Sequence, residues 1–99
     1  MALNSSQRKY LKTLAHHLEP SVLVGHNGVS EALLSAVSQS LLAHELVKVK
    51  FNALKEGKVA LTEQIAEASG AEVVGIIGNI ATLYREHPEE GERRIVLPA

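Results

Sequence analysis

The chain has 99 residues, of which 45% are hydrophobic and 21% are charged, as in a single globular domain and unlike a disordered chain. It contains no cysteine, which excludes disulfides, thiol nucleophiles and cysteine-based zinc or iron–sulfur sites. No apolar run approaches the ~20 residues of a membrane span, and the first residues lack the apolar core of a signal peptide. We therefore expect a cytoplasmic protein that does not contact membranes.

The net charge is only −1, but cations and acids are segregated along the chain. Residues 1–18 hold three cations and no acid, and residues 48–58 hold four lysines against one glutamate. Residues 59–92 hold one arginine and seven glutamates. One face could therefore be locally basic and attract a polyanion. Charge patterning alone favours the simpler interpretation, an ordinary solvated surface.

The first predicted helix runs from about Ser5 to His17 and ends before Pro20, which cannot continue it. Apolar side chains at helical spacing predict its buried face: Tyr10, Leu11, Leu14, Ala15 and Leu18. The neighbouring sector of about 100° holds cationic and titratable side chains: Arg8, Lys9, Lys12 and His16. We call these last four residues the basic flank.

A short buried strand, a glycine loop and a second helix are predicted next. The β-rich run 21–24 is closed by the loop Gly25–Gly28. Ser30 is the expected N-cap of a helix that reaches about His44. The following segment, 45–51, alternates apolar residues with Lys48 and Lys50, which predicts a half-buried strand with a basic, solvated face.

The last third of the chain predicts a helix and a hairpin. The helix covers 59–69 and is followed by Gly70, which accepts the positive φ common just past a helix end. Strands are expected over 72–77 and 80–85, joined by a turn at Gly78 and Asn79. Residues 86–94 are a polar loop, and the apolar residues 95–97 either dock as a last strand or fray.

The element order α-β-α-β-α-β-β predicts an α/β fold, with helices packed on a mixed four-stranded sheet. Strands separated by a helix favour parallel pairing, whereas the final hairpin is antiparallel. We expect one domain over residues 1–99, with 86–99 as a C-terminal loop and short tail.

The glycine loop allows two interpretations. Two glycines let the backbone turn sharply and approach a ligand, and the free N–H groups of the following helix favour an anion such as phosphate. His26 and Asn27 would add hydrogen-bond donors. On local sequence alone, a tight turn without a ligand is the simpler interpretation.

Neither metal binding nor catalysis is indicated. The five histidines include no pair four residues apart and no cluster with ligand spacing. The chain also lacks a nucleophile elbow and a Walker or dinucleotide-binding loop. We expect no enzyme activity, no metal or other cofactor, and no small-molecule substrate.

Three segments together resemble the signature blocks of the CRM domain, which includes the small bacterial proteins of the YhbY family. They are residues 22–30 (VLVGHNGVS), 44–51 (HELVKVKF) and 74–85 (VGIIGNIATLYR). The resemblance implies a fold similar to the C-terminal domain of bacterial translation initiation factor three. It also implies RNA binding and, in bacteria, association with precursors of the large ribosomal subunit.

The resemblance matches the family's G-x-x-G loop to Gly25, His26, Asn27 and Gly28, its basic first helix to Arg8, Lys9 and Lys12, and its Leu-Tyr-Arg strand end to residues 83–85. Two departures remove permanent positive charge. His26 stands where many members have lysine, and Asn79 stands where the hairpin turn often has lysine or arginine.

The hypothesis that combines these observations is a monomeric protein that binds ribosomal RNA or a large-subunit precursor particle through phosphate contacts. The expected RNA contacts are the basic flank, the loop Gly25–Gly28 and Arg85. Lys48 and Lys50 rank below them, because their side of the sheet could be the far one. Since only 3% of the residues are aromatic, recognition of shape and backbone is favoured over base stacking. Two alternatives remain: a module that binds an acidic protein through the same patch, and a small enzyme that holds a nucleotide in the glycine loop.

Overall fold

A computed structural model describes residues 2–99 of the chain. Its helices and strands follow one another in the predicted order. The helices are α1 (Ser5–Ala15), α2 (Glu31–His44) and α3 (Lys58–Ser69), and the strands are β1 (Val22–Val24), β2 (Leu46–Phe51), β3 (Glu72–Ile77) and β4 (Ile80–Tyr84). Single turns of 3₁₀-helix cover Lys55–Gly57 and Glu90–Glu92. None of the helices in this part of the chain is long and apolar enough to cross a membrane.

Side-chain caps fix where the first two helices begin. The Gln7 N–H donates to Asn4 Oδ1 at 2.8 Å, and the Asn4 N–H donates to Gln7 Oε1 at 3.0 Å, which makes a reciprocal capping box. Ser30 Oγ accepts from the Leu33 N–H at 3.1 Å and caps α2 as predicted. These bonds satisfy amides that have no partner within the helix itself.

The sheet is mixed, with strand order β1-β2-β4-β3. β1 and β2 are parallel, because α2 carries the chain back across the sheet between them. β4 is antiparallel to both of its neighbours, and Gly78 turns the β3–β4 hairpin with a φ of +58°. The predicted α/β fold with a mixed four-stranded sheet is therefore confirmed.

The two faces of the sheet are covered unequally. Alternate side chains of β2 point to opposite faces, so Val47 and Val49 pack under α2 and α3, whereas Leu46, Lys48 and Lys50 point to the side of α1. We call this second side the α1 face. Its apolar cluster is small: Leu3, Leu11, Ala15, Leu46, Val74 and Tyr84. A single helix of 11 residues thus covers only part of the α1 face.

The C-terminal tail docks without forming a strand. Ile95 and Leu97 pack against the apolar cluster of the α1 face, and Gln7 Nε2 donates to the Pro98 carbonyl at 3.0 Å. Residues 93–99 have no regular secondary structure. The sequence left open a last strand or a frayed tail, and the structure shows neither: the tail docks through side-chain packing and forms no strand.

A buried carboxylate holds the loop that leads to this tail. Glu45 follows α2 with a φ of +64° and is 1% exposed. Its carboxylate accepts backbone N–H groups from His87 (2.9 Å), Arg94 (2.7 Å) and Ile95 (3.1 Å). Burial alone would raise the pKa of Glu45, but the three amides and, to a smaller extent, the charge of His87 hold the pKa below its ordinary value. The ionised side chain therefore fastens residues 87–95 to the end of α2.

Candidate nucleic-acid interface

α1 lies across the strands, with its basic flank above the sheet. Lys12 lies over β3, since a Cβ added to Gly75 would be 2.9 Å from Lys12 Cε. Farther along, the Leu18 carbonyl accepts from Lys48 Nζ of β2 at 3.0 Å. The helix therefore crosses from the β3 side to the β2 side. Arg8 and His16 lie one turn before and one turn after Lys12, on the same flank.

Strand register brings the lysines of β2 onto the same face as Lys12. Gly75 pairs with Thr82, and Thr82 pairs with Lys48, so the three residues form one cross-strand row. The Cα atoms of Gly75 and Lys48 are thus about two strand spacings, or roughly 10 Å, apart. Lys50 lies two residues farther along the same side of β2 and is exposed. The sequence ranked both lysines low, yet they lie on the face that carries the basic flank.

Most of the acidic side chains lie elsewhere, and an exception is Glu72 of β3, which pairs with Tyr84 and so shares the α1 face. Glu63 and Glu67 are on α3, which packs on the opposite face of the sheet, and the acids of 86–92 are in the loop at the Glu45 end. Glu31 and Glu56 are exposed near the strand ends where the glycine loop lies. The segregation of charge along the sequence therefore becomes a segregation in space, and the α1 face is the more basic side.

The glycine loop lies at the outer edge of the sheet, where β1 leads into α2. The Gly28 N–H donates to the Gly25 carbonyl at 3.1 Å, which closes a tight turn. His26 and Asn27 at its tip are exposed. Together with β1 and the first half of α2, the loop borders an open groove of about 580 Å³. β1, which leads into the loop, is three strand spacings, about 14 Å, from β3, the strand under Lys12.

The loop is held from below by the segment that follows β2. The Val24 carbonyl accepts N–H groups from Asn52 at 3.0 Å and Ala53 at 3.2 Å. Leu54 then adopts a left-handed conformation with a φ of +56°, which is uncommon for a residue other than glycine. A Cβ on Gly28 would lie 3.3 Å from Leu54 Cδ1. Leu54 therefore supports the loop, a role that nothing in its sequence context indicated.

The two glycines of the loop have different reasons to be glycine. Gly28 has a φ of +64°, which L-residues rarely adopt, and it faces Leu54 closely. Gly25 has no such φ, and a Cβ there would meet no atom within 4 Å. The fold therefore demands glycine at Gly28, and at Gly25 it leaves open space beside the groove.

A valine at each position separates these two cases. Gly28→Val is expected to destabilise the protein by about 1–3 kcal/mol, because a β-branched residue is forced into the left-handed region against Leu54. Gly25→Val, the matched control, should change the free energy of unfolding by less than about 0.5 kcal/mol. Urea denaturation of the two variants measures the difference. Equal stabilities would contradict the distinction between the two glycines.

The start of α2 is a weaker anion site than the sequence suggests. Ser30 already occupies the Leu33 N–H, and Glu31 places a carboxylate in the first turn, where it complements the helix dipole. An incoming phosphate would meet that negative charge. The loop's own contribution therefore rests on His26, Asn27 and the backbone beside Gly25.

Arg85 lies apart from the other expected RNA contacts, so the structure does not bring this predicted contact together with them. It follows β4 on the side of α2 and α3, opposite to α1. Its Nη1 donates to Ser38 Oγ at 3.2 Å and to the Ser69 carbonyl at 2.8 Å, and its Nη2 donates to the Ser38 carbonyl at 2.9 Å. The guanidinium thus bridges α2 to the end of α3, where a cation also complements the helix dipole. Three bonds within the protein leave little of it for a phosphate.

Replacing Arg85 by alanine should therefore weaken the fold. We expect a loss of about 1–3 kcal/mol in the free energy of unfolding, because the backbone carbonyls of Ser38 and Ser69 each lose a charged hydrogen-bond donor. Arg93→Ala is the control, because the contacts of Arg93 are exposed: it pairs with Glu86 at 3.3 Å and donates from Nε to the His87 carbonyl at 2.9 Å, and together these should contribute at most about 1 kcal/mol. Denaturant titration compares the two. If R85A were no less stable than R93A, the bridging role would be wrong.

The other two residues of the Leu-Tyr-Arg strand end are core residues. Leu83 is fully buried under α2 and α3, and Tyr84 is buried in the apolar cluster of the α1 face. Burial, followed by the nearby Glu45 carboxylate, raises the pKa of Tyr84 to about 12. Its hydroxyl has no hydrogen-bond partner among the residues described. The motif therefore packs against helices on both faces of the sheet, and its role is structural.

No group of three or more metal-ligating side chains occurs within residues 2–99. The features that organise the site without having been singled out from the sequence are Leu54 and Glu45. A positive φ at a residue other than glycine leaves no pattern in hydropathy or charge, and a glutamate at the end of a helix resembles any solvated acid. The only available signal was the glutamate's position between α2 and a buried strand.

Nearly the whole chain is similar in sequence to proteins of one family. The family model described as the CRS1/YhbY (CRM) domain matches residues 3–85. An RNA-binding protein of Haemophilus influenzae is 42% identical over 97 residues, which cover 97% of this chain and 95% of that protein. A Pseudomonas aeruginosa protein, a candidate RNA-binding protein by name, is 37% identical over 90 residues, with 90% and 86% coverage.

A solved structure shows the same architecture. The solution structure of a Staphylococcus aureus protein, described as a candidate RNA-binding protein, superposes with a TM-score of 0.79 at 33% sequence identity. The match covers 98% of this chain and all of that one. With a family model that spans most of the chain and relatives above 30% identity over nearly its full length, this protein belongs to the CRS1/YhbY (CRM) domain family.

Proposed function

We propose that this protein binds ribosomal RNA, in the form of a precursor of the large ribosomal subunit, and acts in ribosome assembly as a non-enzymatic cytoplasmic factor. The observation that carries the proposal is the placement of Lys12, Lys48 and Lys50 on one face, beside the exposed Arg8. Family membership supports RNA as the polyanion, because the Haemophilus influenzae relative is named an RNA-binding protein.

The basic flank and the lysines of β2 would contact phosphates, because exposed cations gain affinity by releasing the counterions of the nucleic acid. Lys12 and Lys50 are the strongest candidates, since both are exposed and neither donates a hydrogen bond to the residues that the structure describes. Lys48 donates to the Leu18 carbonyl and would first have to exchange that bond.

The glycine loop would contribute close backbone approach. Gly25 leaves open space beside the groove without any conformational need for glycine, which is what a ligand that approaches the main chain requires. His26 and Asn27 can donate hydrogen bonds to phosphate or ribose, and His26 adds charge only when protonated.

Salt dependence tests the proposal. Binding of large-subunit ribosomal RNA, followed by filter retention from 50 to 300 mM salt, should give a straight line of log affinity against log salt. Four phosphate contacts from Arg8, Lys9, Lys12 and Lys50 predict a slope of about −3 to −4. Gly25→Val should lower the affinity without lowering stability, since only the ligand would meet the new side chain.

Co-sedimentation tests the assembly role. In a sucrose gradient of cell lysate, the protein should travel with large-subunit precursors at low salt and leave them at high salt. No retention of RNA even at 50 mM salt would overturn the proposal and favour an acidic protein as the partner of the same face.

A further inference from the structure

One row of side chains crosses the entire sheet beyond the edge of α1. Leu23 of β1 pairs with Lys50 of β2, Lys50 pairs with Ile80 of β4, and Ile80 pairs with Ile77 of β3. Cross-strand partners share a face, and Lys50 points to the α1 face, so all four do. We call these four residues the exposed row. Three strand spacings make it about 14 Å wide.

Within residues 2–99, the exposed row stays largely uncovered at its two outer members, and Ile80 between them is half-buried. Leu23 is 56% exposed and Ile77 is 74% exposed, which are large values for aliphatic side chains in a sheet. α1 covers the rows at the other end of the strands, around Tyr84 and Leu46, which are buried. The row also joins the two parts of the proposed site, because Leu23 borders the groove of the glycine loop and Lys12 lies over the neighbouring row.

The surface therefore offers apolar contact and positive charge in one plane. Lys50 lies within the row, and Lys48 and Lys12 lie beside it, whereas its other members are aliphatic. An acidic peptide would satisfy the charges, but β1 presents only three residues to an added strand. A polyanion with apolar surface between its charges fits better, and ribose rings between phosphates supply that pattern.

The sheet surface lacks the exposed aromatic rings on which sheet platforms usually stack single-stranded RNA. Sheet platforms that bind single strands stack bases on aromatic side chains. The chain's only phenylalanine, Phe51, is fully buried, and Tyr84 is 1% exposed. Tyr10, the remaining aromatic residue, lies on the flank of α1 opposite to Lys12. Unpaired bases would therefore find no tyrosine or phenylalanine ring on the sheet surface itself to stack on.

We infer that the exposed row is a platform for base-paired RNA, with Leu23, Ile77 and Ile80 against the riboses of the shallow minor groove and Lys12 and Lys50 on the flanking phosphates. The wide, shallow minor groove of A-form RNA presents 2′-hydroxyls and sugars to a flat surface, and duplexes are recognised there by shape. This inference rests on the proposed function and specifies which form of RNA the site takes.

Three fluorescent probes test the form of RNA: a 16-base-pair RNA hairpin, an unstructured RNA of equal length and a DNA duplex of the same sequence. Fluorescence anisotropy at fixed salt should show at least tenfold tighter binding of the RNA hairpin than of either other probe. Tighter binding of the unstructured RNA would overturn the inference and leave RNA binding intact. No binding of any RNA would instead overturn the proposed function.

Substitutions in the row test its location. Ile77→Glu and Leu23→Glu should each lower the affinity for the hairpin about tenfold, which is about 1.4 kcal/mol. Leu42→Glu is the matched control, because Leu42 is 48% exposed on α2, away from this face, and should leave the affinity unchanged. Thermal unfolding of all three variants checks that they fold. Equal affinities of the row variants and the control would place the duplex elsewhere.

Discussion

Glu45→Gln is expected to destabilise the protein by about 2–4 kcal/mol, a large part of the stability of a domain of this size. The substituted side chain has nearly the same shape, so packing is preserved. It loses the negative charge that three backbone amides share, and its NH₂ group would face the N–H of His87. Urea denaturation at neutral pH measures the loss. Glu86→Gln, at an exposed ion pair with Arg93, is the control and should have little effect.

The pH dependence of this difference identifies its origin. The pKa of Glu45 is lowered in the folded protein, so the ionised carboxylate stabilises the fold above the ordinary value of 4.5, and this contribution is lost as the pH falls through the lowered pKa. The stability gap between wild type and Glu45→Gln should therefore be full at pH 6 and should narrow below about pH 4. A gap that stays constant with pH would mean that the charge is not its source.

The elements were predictable because their signals are local. The N-cap Ser30, the positive φ of Gly70 and the turn at Gly78 all follow from single residues with a clear physical preference. The predicted buried face of α1 is wider than the observed one, since Leu11 is fully buried whereas Tyr10 is 39% exposed. One helix on a partly covered face buries a narrow stripe, and hydropathy does not report how much of a face will be covered.

The candidate site was harder to predict because it depends on which side of the sheet each strand residue faces. Alternation showed that Lys48 and Lys50 share a face, but only the position of α1 shows that it is the face of Lys12. The same parity places Arg85 on the opposite side, among the carbonyls of α2 and α3. The motif alone therefore does not indicate whether the arginine binds a ligand or bonds carbonyls of the protein's own helices.

Reversing two charges on the α1 face is expected to have the largest effect on RNA affinity. The double variant K12E/K50E should weaken binding about 100-fold at low salt, or about 2.7 kcal/mol, because two phosphate contacts become repulsive. The slope of log affinity against log salt should also become shallower by about two. Stability should change little, since both lysines are exposed and neither belongs to an ion pair that the structure shows.

The control for this variant uses the helices on the other face of the sheet. Gln39 on α2 and Gln64 on α3 are exposed, and both helices pack on the face opposite to α1. The double variant Q39E/Q64E lowers the net charge by two, as the single variant K50E does, but it should change RNA affinity less than threefold because the sheet lies between the new charges and the α1 face. Comparison of Q39E/Q64E with K50E therefore separates the effect of position from the effect of net charge. If the two variants weakened binding equally, the affinity would follow the total charge of the protein, and the basic face would have no special part in binding.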